Sequence, residues 1–211
     1  MKSACFVAAL LTANLVLAEA TDFVPLFNGQ DLTGWEIKPD LKEAEPDSWS
    51  VRDGVLIAKP EQGWLSTNQT FGDFVLKLEW RVPENGNSGV FLRVPPLKEG
   101  QRPHVQGFEI QVLDDRGSQY LGKLKPWQFS GSIYGSVPAT DSTFKGAGEW
   151  NSYEITCHGE RLEVKMNGRK VAEADVTKDP VLATRPRAGF IGLQNHGSGA
   201  EYRNIQIKVL K

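Results

Sequence analysis

Beyond residue 20 the chain holds one cysteine, Cys157, and its three histidines are scattered at positions 104, 158 and 196. A single thiol excludes a disulfide framework within the chain. Neither HExxH nor a CxxC pair occurs, so a transition-metal centre has no obvious ligand set. No apolar run after residue 20 is long enough to cross a membrane as a helix. Neither sign of charge dominates: 24 Lys+Arg stand against 26 Asp+Glu, which argues against a uniformly basic nucleic-acid binder. A phosphate loop, a GxGxxG turn and a GxSxG elbow are all missing, which removes the usual nucleotide sites and weakens a serine-hydrolase reading. No segment beyond residue 20 keeps helical periodicity for three turns. Linkers, repeats and low-complexity blocks are also absent, which predicts one domain over residues 21–211.

What the chain does have begins with a leader. Lys2 precedes an apolar stretch from Ala4 to Leu17, and Ala18-Glu19-Ala20 has the small-x-small form of a cleavage site. Residues 1–20 therefore read as a secretory signal, with Cys5 inside it. The remainder reads as strands. Expected runs are Trp49–Ala58, Phe74–Val82, Gly89–Val94, Phe108–Leu113, Asn151–His158, Arg161–Met166, Ala188–Leu193 and Tyr202–Leu210. Alternation is plainest where Phe74, Leu76, Leu78 and Trp80 share one face and Lys77, Glu79 and Arg81 the other. Asn167-Gly168 marks a tight hairpin, because that pair accepts the positive φ a two-residue turn requires. Many short strands with turn residues between them predict an all-β antiparallel sandwich or barrel. Segments 83–88, 95–107 and 116–148 are expected loops. Cys157 falls on a strand and reads as a buried, inert thiol.

Polar residues set into apolar strands mark a candidate site. Phe108, Ile110 and Val112 share a face, so Glu109 and Gln111 point together to the other. Gln194 and His196 sit two apart in the same way. Arg93 ends an apolar run, and Glu79 lies on a charged strand face. A carboxylate, a guanidinium and an imidazole are thus available to one sheet face. Arg93 paired with Glu109 as a structural bridge, and Glu79 on a merely solvated face, are the plainer readings. His104 and His158 have no comparable neighbours and read as surface or structural residues.

Trp64, Trp127, Phe129, Tyr134 and Trp150 fall in or beside the expected loops. Sugar rings have apolar C–H faces, so exposed aromatics near carboxylates and amides suit a carbohydrate partner. Core plugs between sheets are the alternative for each. Asp114-Asp115-Arg116-Gly117 offers the oxygen ligands Ca²⁺ takes, and equally suits an ordinary turn. Apart from that calcium possibility no cofactor is expected.

Several stretches in order carry a family resemblance. Phe23-Val24-Pro25-Leu26-Phe27-Asn28-Gly29-Gln30-Asp31-Leu32-Thr33-Gly34-Trp35 opens it. Asn87-Ser88-Gly89-Val90-Phe91-Leu92-Arg93, Gly107-Phe108-Glu109-Ile110-Gln111-Val112-Leu113-Asp114 and Ser132-Ile133-Tyr134-Gly135 continue it. Gly148-Glu149-Trp150-Asn151, Ile191-Gly192-Leu193-Gln194-Asn195-His196-Gly197 and Tyr202-Arg203-Asn204-Ile205 complete it. Together they resemble the 3-keto-disaccharide hydrolase domain family, over essentially all of 23–210. The resemblance implies a concanavalin A-like jelly-roll sandwich. It also implies a secreted or periplasmic bacterial protein acting on glycosides already oxidised at C3.

A ketone at C3 acidifies the C2 hydrogen, so a base can start an elimination that expels the C1 substituent, and water then adds back. Such a site needs a base, a stabiliser for the enolate and an acid for the leaving oxygen. Glu109 or His196 is the expected base, Arg93 or a bound cation the stabiliser, and the remaining one of Glu109 and His196, or Tyr134, the acid. Glu79, Gln111, Gln194, Trp127 and Trp150 are the expected substrate contacts. Two other functions fit the same residues. One is a non-catalytic sugar-binding module. The other is an ordinary glycosidase using Glu79 and Glu109 as its two carboxylates.

Overall fold

The computed structural model describes residues 22–39, 45–60 and 62–211. The proposed leader at 1–20 lies outside them. Two antiparallel sheets face each other. The larger contains β1 (Val24–Pro25), β3 (Trp49–Arg52), β4 (Val55–Ala58), β6 (Phe74–Arg81), β9 (Asn151–His158), β10 (Arg161–Met166), β11 (Arg169–Asp175) and β13 (Glu201–Val209). Its order is β11-β10-β9-β6-β13-β4-β3, with β1 also on β13. The smaller sheet contains β2 (Trp35–Lys38), β5 (Gln62–Phe71), β7 (Asn87–Val94), β8 (Phe108–Leu113) and β12 (Gly189–His196), ordered β2-β5-β12-β7-β8. A one-turn helix, α1 (Pro103–Gln106), precedes β8. The architecture is the expected all-β sandwich.

Side-chain alternation builds the core. Along β6 every second residue is buried, from Phe74 through Leu76 and Leu78 to Trp80. Tyr153, Ile155 and Cys157 of β9 point the same way, and Leu65, Val90, Ile110, Val112, Ile191 and Leu193 meet them from the smaller sheet. Apolar area removed from water on both inner faces is the main stabilising term. Burial pushes the Cys157 thiol up to about 12, so it stays protonated and inert, as expected.

Turn chemistry matches the sequence in one place and corrects it in another. Asn167 and Gly168 adopt φ of 51° and 81° between β10 and β11. The run Trp49–Ala58 is a hairpin rather than one strand: Asp53 and Gly54 adopt φ of 52° and 78° and fold β3 against β4. The ten-residue β5 escapes the expected set of strands because its middle, Ser66 to Thr70, is polar. Thr67 resolves that polarity by bonding within the sheet. Its Oγ1 accepts from the Ile191 amide at 3.1 Å and donates to the Gln69 carbonyl at 2.8 Å.

The edge of the smaller sheet at β8 is covered by the chain itself. Segment 131–134 runs alongside as an irregular strand. Gly131 donates to the Gln111 carbonyl (3.0 Å), Gln111 to the Ser132 carbonyl (3.1 Å) and Tyr134 to the Glu109 carbonyl (2.9 Å). Capping the edge removes unpaired backbone groups. It also fixes Tyr134 beside Glu109.

Candidate active site

Inward-facing residues of β7, β8 and β12 leave their neighbours on the outer face of the smaller sheet. There a pocket of about 400 Å³ opens, lined at its floor by Asn87, Glu109, Gln111 and Gln194. Gln111 Nε2 donates to Asn87 Oδ1 at 3.4 Å, which links β8 to β7 across the floor. Tyr134 and His104 form one wall, with ring centroids 6.0 Å apart and planes at 87°. His196, at the exposed end of β12, and Tyr120 also line it. Glu109, Gln111, Gln194 and His196 thus line one pocket, and the edge-covering segment brings Tyr134 to them.

Glu109 is 4% exposed although it sits on an outer face. The reason is close packing over β7. A Cβ on Gly89 would lie 2.2 Å from Glu109 Oε1, so only glycine leaves room for the carboxylate to lie there. Glu109 is also near enough to raise the Tyr202 hydroxyl's pKa further; burial is the larger cause, and the Ser88 hydroxyl opposes it. That hydroxyl lies 2.6 Å from Ser88 Oγ, in the core beneath the pocket floor. Tyr120 is held by its hydroxyl to the Asn85 carbonyl at 3.2 Å.

Arg93 is not in the pocket. A bulge shifts the register where β7 meets β12, and Arg93 takes φ of 52° there. The extra residue breaks the alternation that would have aimed it beside Phe91. Its buried guanidinium instead donates to the carbonyls of Gly72 (2.9 Å) and Gly159 (3.1 Å) and to Asp73 (2.8 Å). It ties the two sheets together at their far end, and it pairs with Asp73 rather than Glu109.

Glu79 and Trp150 belong to the opposite surface. Glu79 projects from β6 on the larger sheet, where its Oε2 accepts from Arg203 Nε (2.6 Å) and Asn204 Nδ2 (2.9 Å). Trp150 lies beneath the guanidinium groups of Arg203 and Arg81, at 4.0 and 4.7 Å. Sequence alternation assigned Glu79 a face correctly, and that face belongs to the other sheet. Glu79 and Glu109 therefore cannot flank one bond. Trp127 stands behind the wall, edge-on to Tyr134 at 5.0 Å. Trp64 is a buried strand residue lying on Gly192, where a Cβ would come within 2.4 Å of the ring.

His104 also lines the pocket, although its sequence neighbours mark it only as a surface or structural residue. It sits on α1 within an irregular loop, where no periodicity marks a face. The loop is anchored from outside, because Arg185 Nη1 donates to the His104 carbonyl at 3.1 Å. No group of three or more His, Cys, Asp or Glu able to hold a metal occurs among the described residues. Asp114 and Asp115 serve the turn instead. Asp114 accepts from the Asn85 amide (2.9 Å) and Asp115 from the Ser130 amide (2.8 Å).

Comparison with known proteins agrees with the fold. The profile of the 3-keto-alpha-glucoside-1,2-lyase-like domain family matches residues 22–208, and the chain belongs to that family. A Bacteroides thetaiotaomicron protein named 3-keto-disaccharide hydrolase is 29% identical over 234 residues, covering 91% of this chain and 80% of the relative. A crystal structure from Parabacteroides distasonis, described as a candidate glycosyl hydrolase, is 31% identical. It superposes with a TM-score of 0.76 over 89% of this chain and 99% of its own. The Bacillus licheniformis beta-glucanase shares the fold at 14% identity, with a TM-score of 0.56 over 90% of this chain and 97% of its own. Among the described residues, no helix is long and apolar enough to cross a membrane.

Proposed function

We propose that this protein cleaves the glycosidic bond of 3-keto-glycosides by elimination and hydration. The observation that carries the reading is the pocket's inventory. Among its described lining residues Glu109 is the one carboxylate, accompanied by two imidazoles and two phenols. Ordinary glycosidases set two carboxylates across the scissile bond. A single carboxylate accompanied by imidazole and phenol groups suits proton transfer next to a ketone instead.

In this scheme Glu109 takes the C2 proton. The electron pair moves onto the C3 oxygen as an enolate, which receives hydrogen bonds from Tyr134 and His104. The enolate then collapses, the C1–O bond breaks, and His196 protonates the leaving oxygen. Water adds to C1 of the resulting enone and gives its proton to His196, while C2 regains a proton from Glu109. Stabilising the enolate oxygen with fixed donors is the largest catalytic effect such a site can exert. Arg93 has no part in it, since its guanidinium is committed elsewhere. Gln111, Gln194 and Asn87 are placed to hold sugar hydroxyls. The leader read at residues 1–20 supports action outside the cytoplasm, in the periplasm or as a secreted protein.

The test is incubation with a 3-keto-glucoside and with its unoxidised parent, each with and without EDTA. Aglycone release from the keto form alone is expected. Loss of release in EDTA would add a metal to the scheme. Binding of both sugars without release would make the protein a sugar-binding module. Full turnover by both Glu109→Gln and His196→Ala would overturn the assigned roles.

A further inference from the structure

Cations are distributed unevenly over the molecule. On the outer face of the larger sheet many of them are paired with carboxylates. Lys77 and Lys165 pair with Glu154, Arg161 with Glu163 and Glu173, Lys170 with Glu173, Arg81 with Glu201 and Arg203 with Glu79. The loops around the pocket follow a different pattern. Arg102 on the 95–107 loop and Lys123 on the 116–125 loop both line the pocket, and both are exposed. Lys123 donates to the Gln119 carbonyl at 3.1 Å. Neither makes an ion pair among the described residues, whose ion pairs lie elsewhere. Lys98 and Lys125 lie on or next to the same two loops, and the same holds for them. With Glu109 at the floor, the lining carries two fixed positive charges against one negative, in a chain whose net charge is −2.

We infer that the site prefers glycosides bearing an anionic group, a carboxylate or a sulfate, on the part of the substrate that lies at the mouth. Given the reaction proposed above, on which this inference rests, that part is the leaving group. The two loops reach the mouth from different parts of the chain, so an anion entering there meets positive charge from both. A cleft lined by one sign of charge concentrates ligands of the other and speeds their capture. An ordinary ion pair inside the loops would have cancelled this field, as it does on the opposite sheet. The neutral amides at the floor are left to read the sugar itself.

The experiment compares two nearly isosteric 3-keto-glucosides, with 3-carboxyphenyl and 3-carboxamidophenyl leaving groups. A 3-sulfophenyl analogue separates sulfate-like from carboxylate preference. At 20 mM salt the carboxylate is expected to win in kcat/KM by about tenfold, and at 500 mM salt the advantage falls to about twofold. In Arg102→Gln/Lys123→Gln the ratio of the two substrates falls towards one, whatever the absolute rates. In Lys77→Gln/Lys170→Gln, which removes equal charge from the opposite sheet, the ratio is unchanged. A ratio of one in the native protein, or an unaltered ratio in the pocket variant, overturns the inference. Kd values for the same glycosides by calorimetry separate this from the proposed reaction. Preference without turnover defeats the reaction alone, and turnover without preference defeats the inference alone.

Discussion

The two outer faces of this sandwich are built from similar materials and put them to opposite uses. Each carries carboxylates, cations and aromatic rings on its strands or on the segments beside them. On the larger sheet much of that set is closed on its neighbours. Glu79 is bound by Arg203 and Asn204, and Trp150 is covered by two guanidinium groups. On the smaller sheet the loops rise around a pocket, Glu109 is buried at its floor, and the rim cations are left without carboxylates. A polar residue on a strand therefore becomes a functional candidate through what surrounds it. Residue type and alternation alone do not decide it.

The sharpest way to break the comparison is to make one change on both faces. Glu109→Gln keeps the volume and removes the base, so kcat on a 3-keto-glucoside should fall by roughly 10²–10⁴. Glu79→Gln should leave kcat within about twofold, because exposed ion pairs contribute little even to stability. Equal losses from the two variants would mean that the larger sheet also takes part in the chemistry.

Next in size is Gly89→Ala. The added methyl would overlap Glu109 Oε1, so the carboxylate must swing away from the floor. A loss of about 1–3 kcal/mol in stability is expected from this overpacking, read from denaturant midpoints. It should come with at least a tenfold fall in kcat, since a displaced catalytic group is costly even over about 1 Å. Stability lost with kcat intact would show that Glu109 works from another position.

These contrasts also show what could be read from the chain alone. Alternation in β6 and β8 told inside from outside correctly, because period two is a property of the extended backbone. It set Glu109 with Gln111 on one side of β8, and Gln194 with His196 on one side of β12. It carried no information about which of two sheets a strand joins, so Glu79 was grouped with residues that face away from it. Arg93 failed for a different reason. One extra residue at a bulge reverses a side chain, and nothing in Phe91-Leu92-Arg93-Val94 announces it. His104 lies on a loop held by Arg185, a contact across 81 positions that local pattern cannot encode.

The smallest effect is one of pH, and it again separates the faces. On the larger sheet the ammonium groups of Lys165 and Lys170, hydrogen-bonded to Glu154 and Glu173, hold those carboxyls below their usual range. Their stabilisation is present at neutral pH and is lost only as pH falls through those lowered values. At the end of β8 the sign reverses. Asp115 pins the pocket loop through the Ser130 amide, while its Oδ2 is buried with no hydrogen-bond partner among the described residues. Burial raises its pKa to about 6, against the ordinary value of 3.8. The folded protein therefore holds this proton more tightly than the unfolded chain does. Its contribution is full below about pH 4 and is lost as pH rises through 6, by at most roughly 3 kcal/mol. Asp115→Asn keeps an acceptor for Ser130 and removes the buried charge. The variant should gain about 1 kcal/mol over the native protein at pH 8 and gain nothing at pH 4, in paired urea melts. A gain that does not change with pH would mean that the carboxyl at the pocket loop is ionised throughout, like the paired acids of the opposite face.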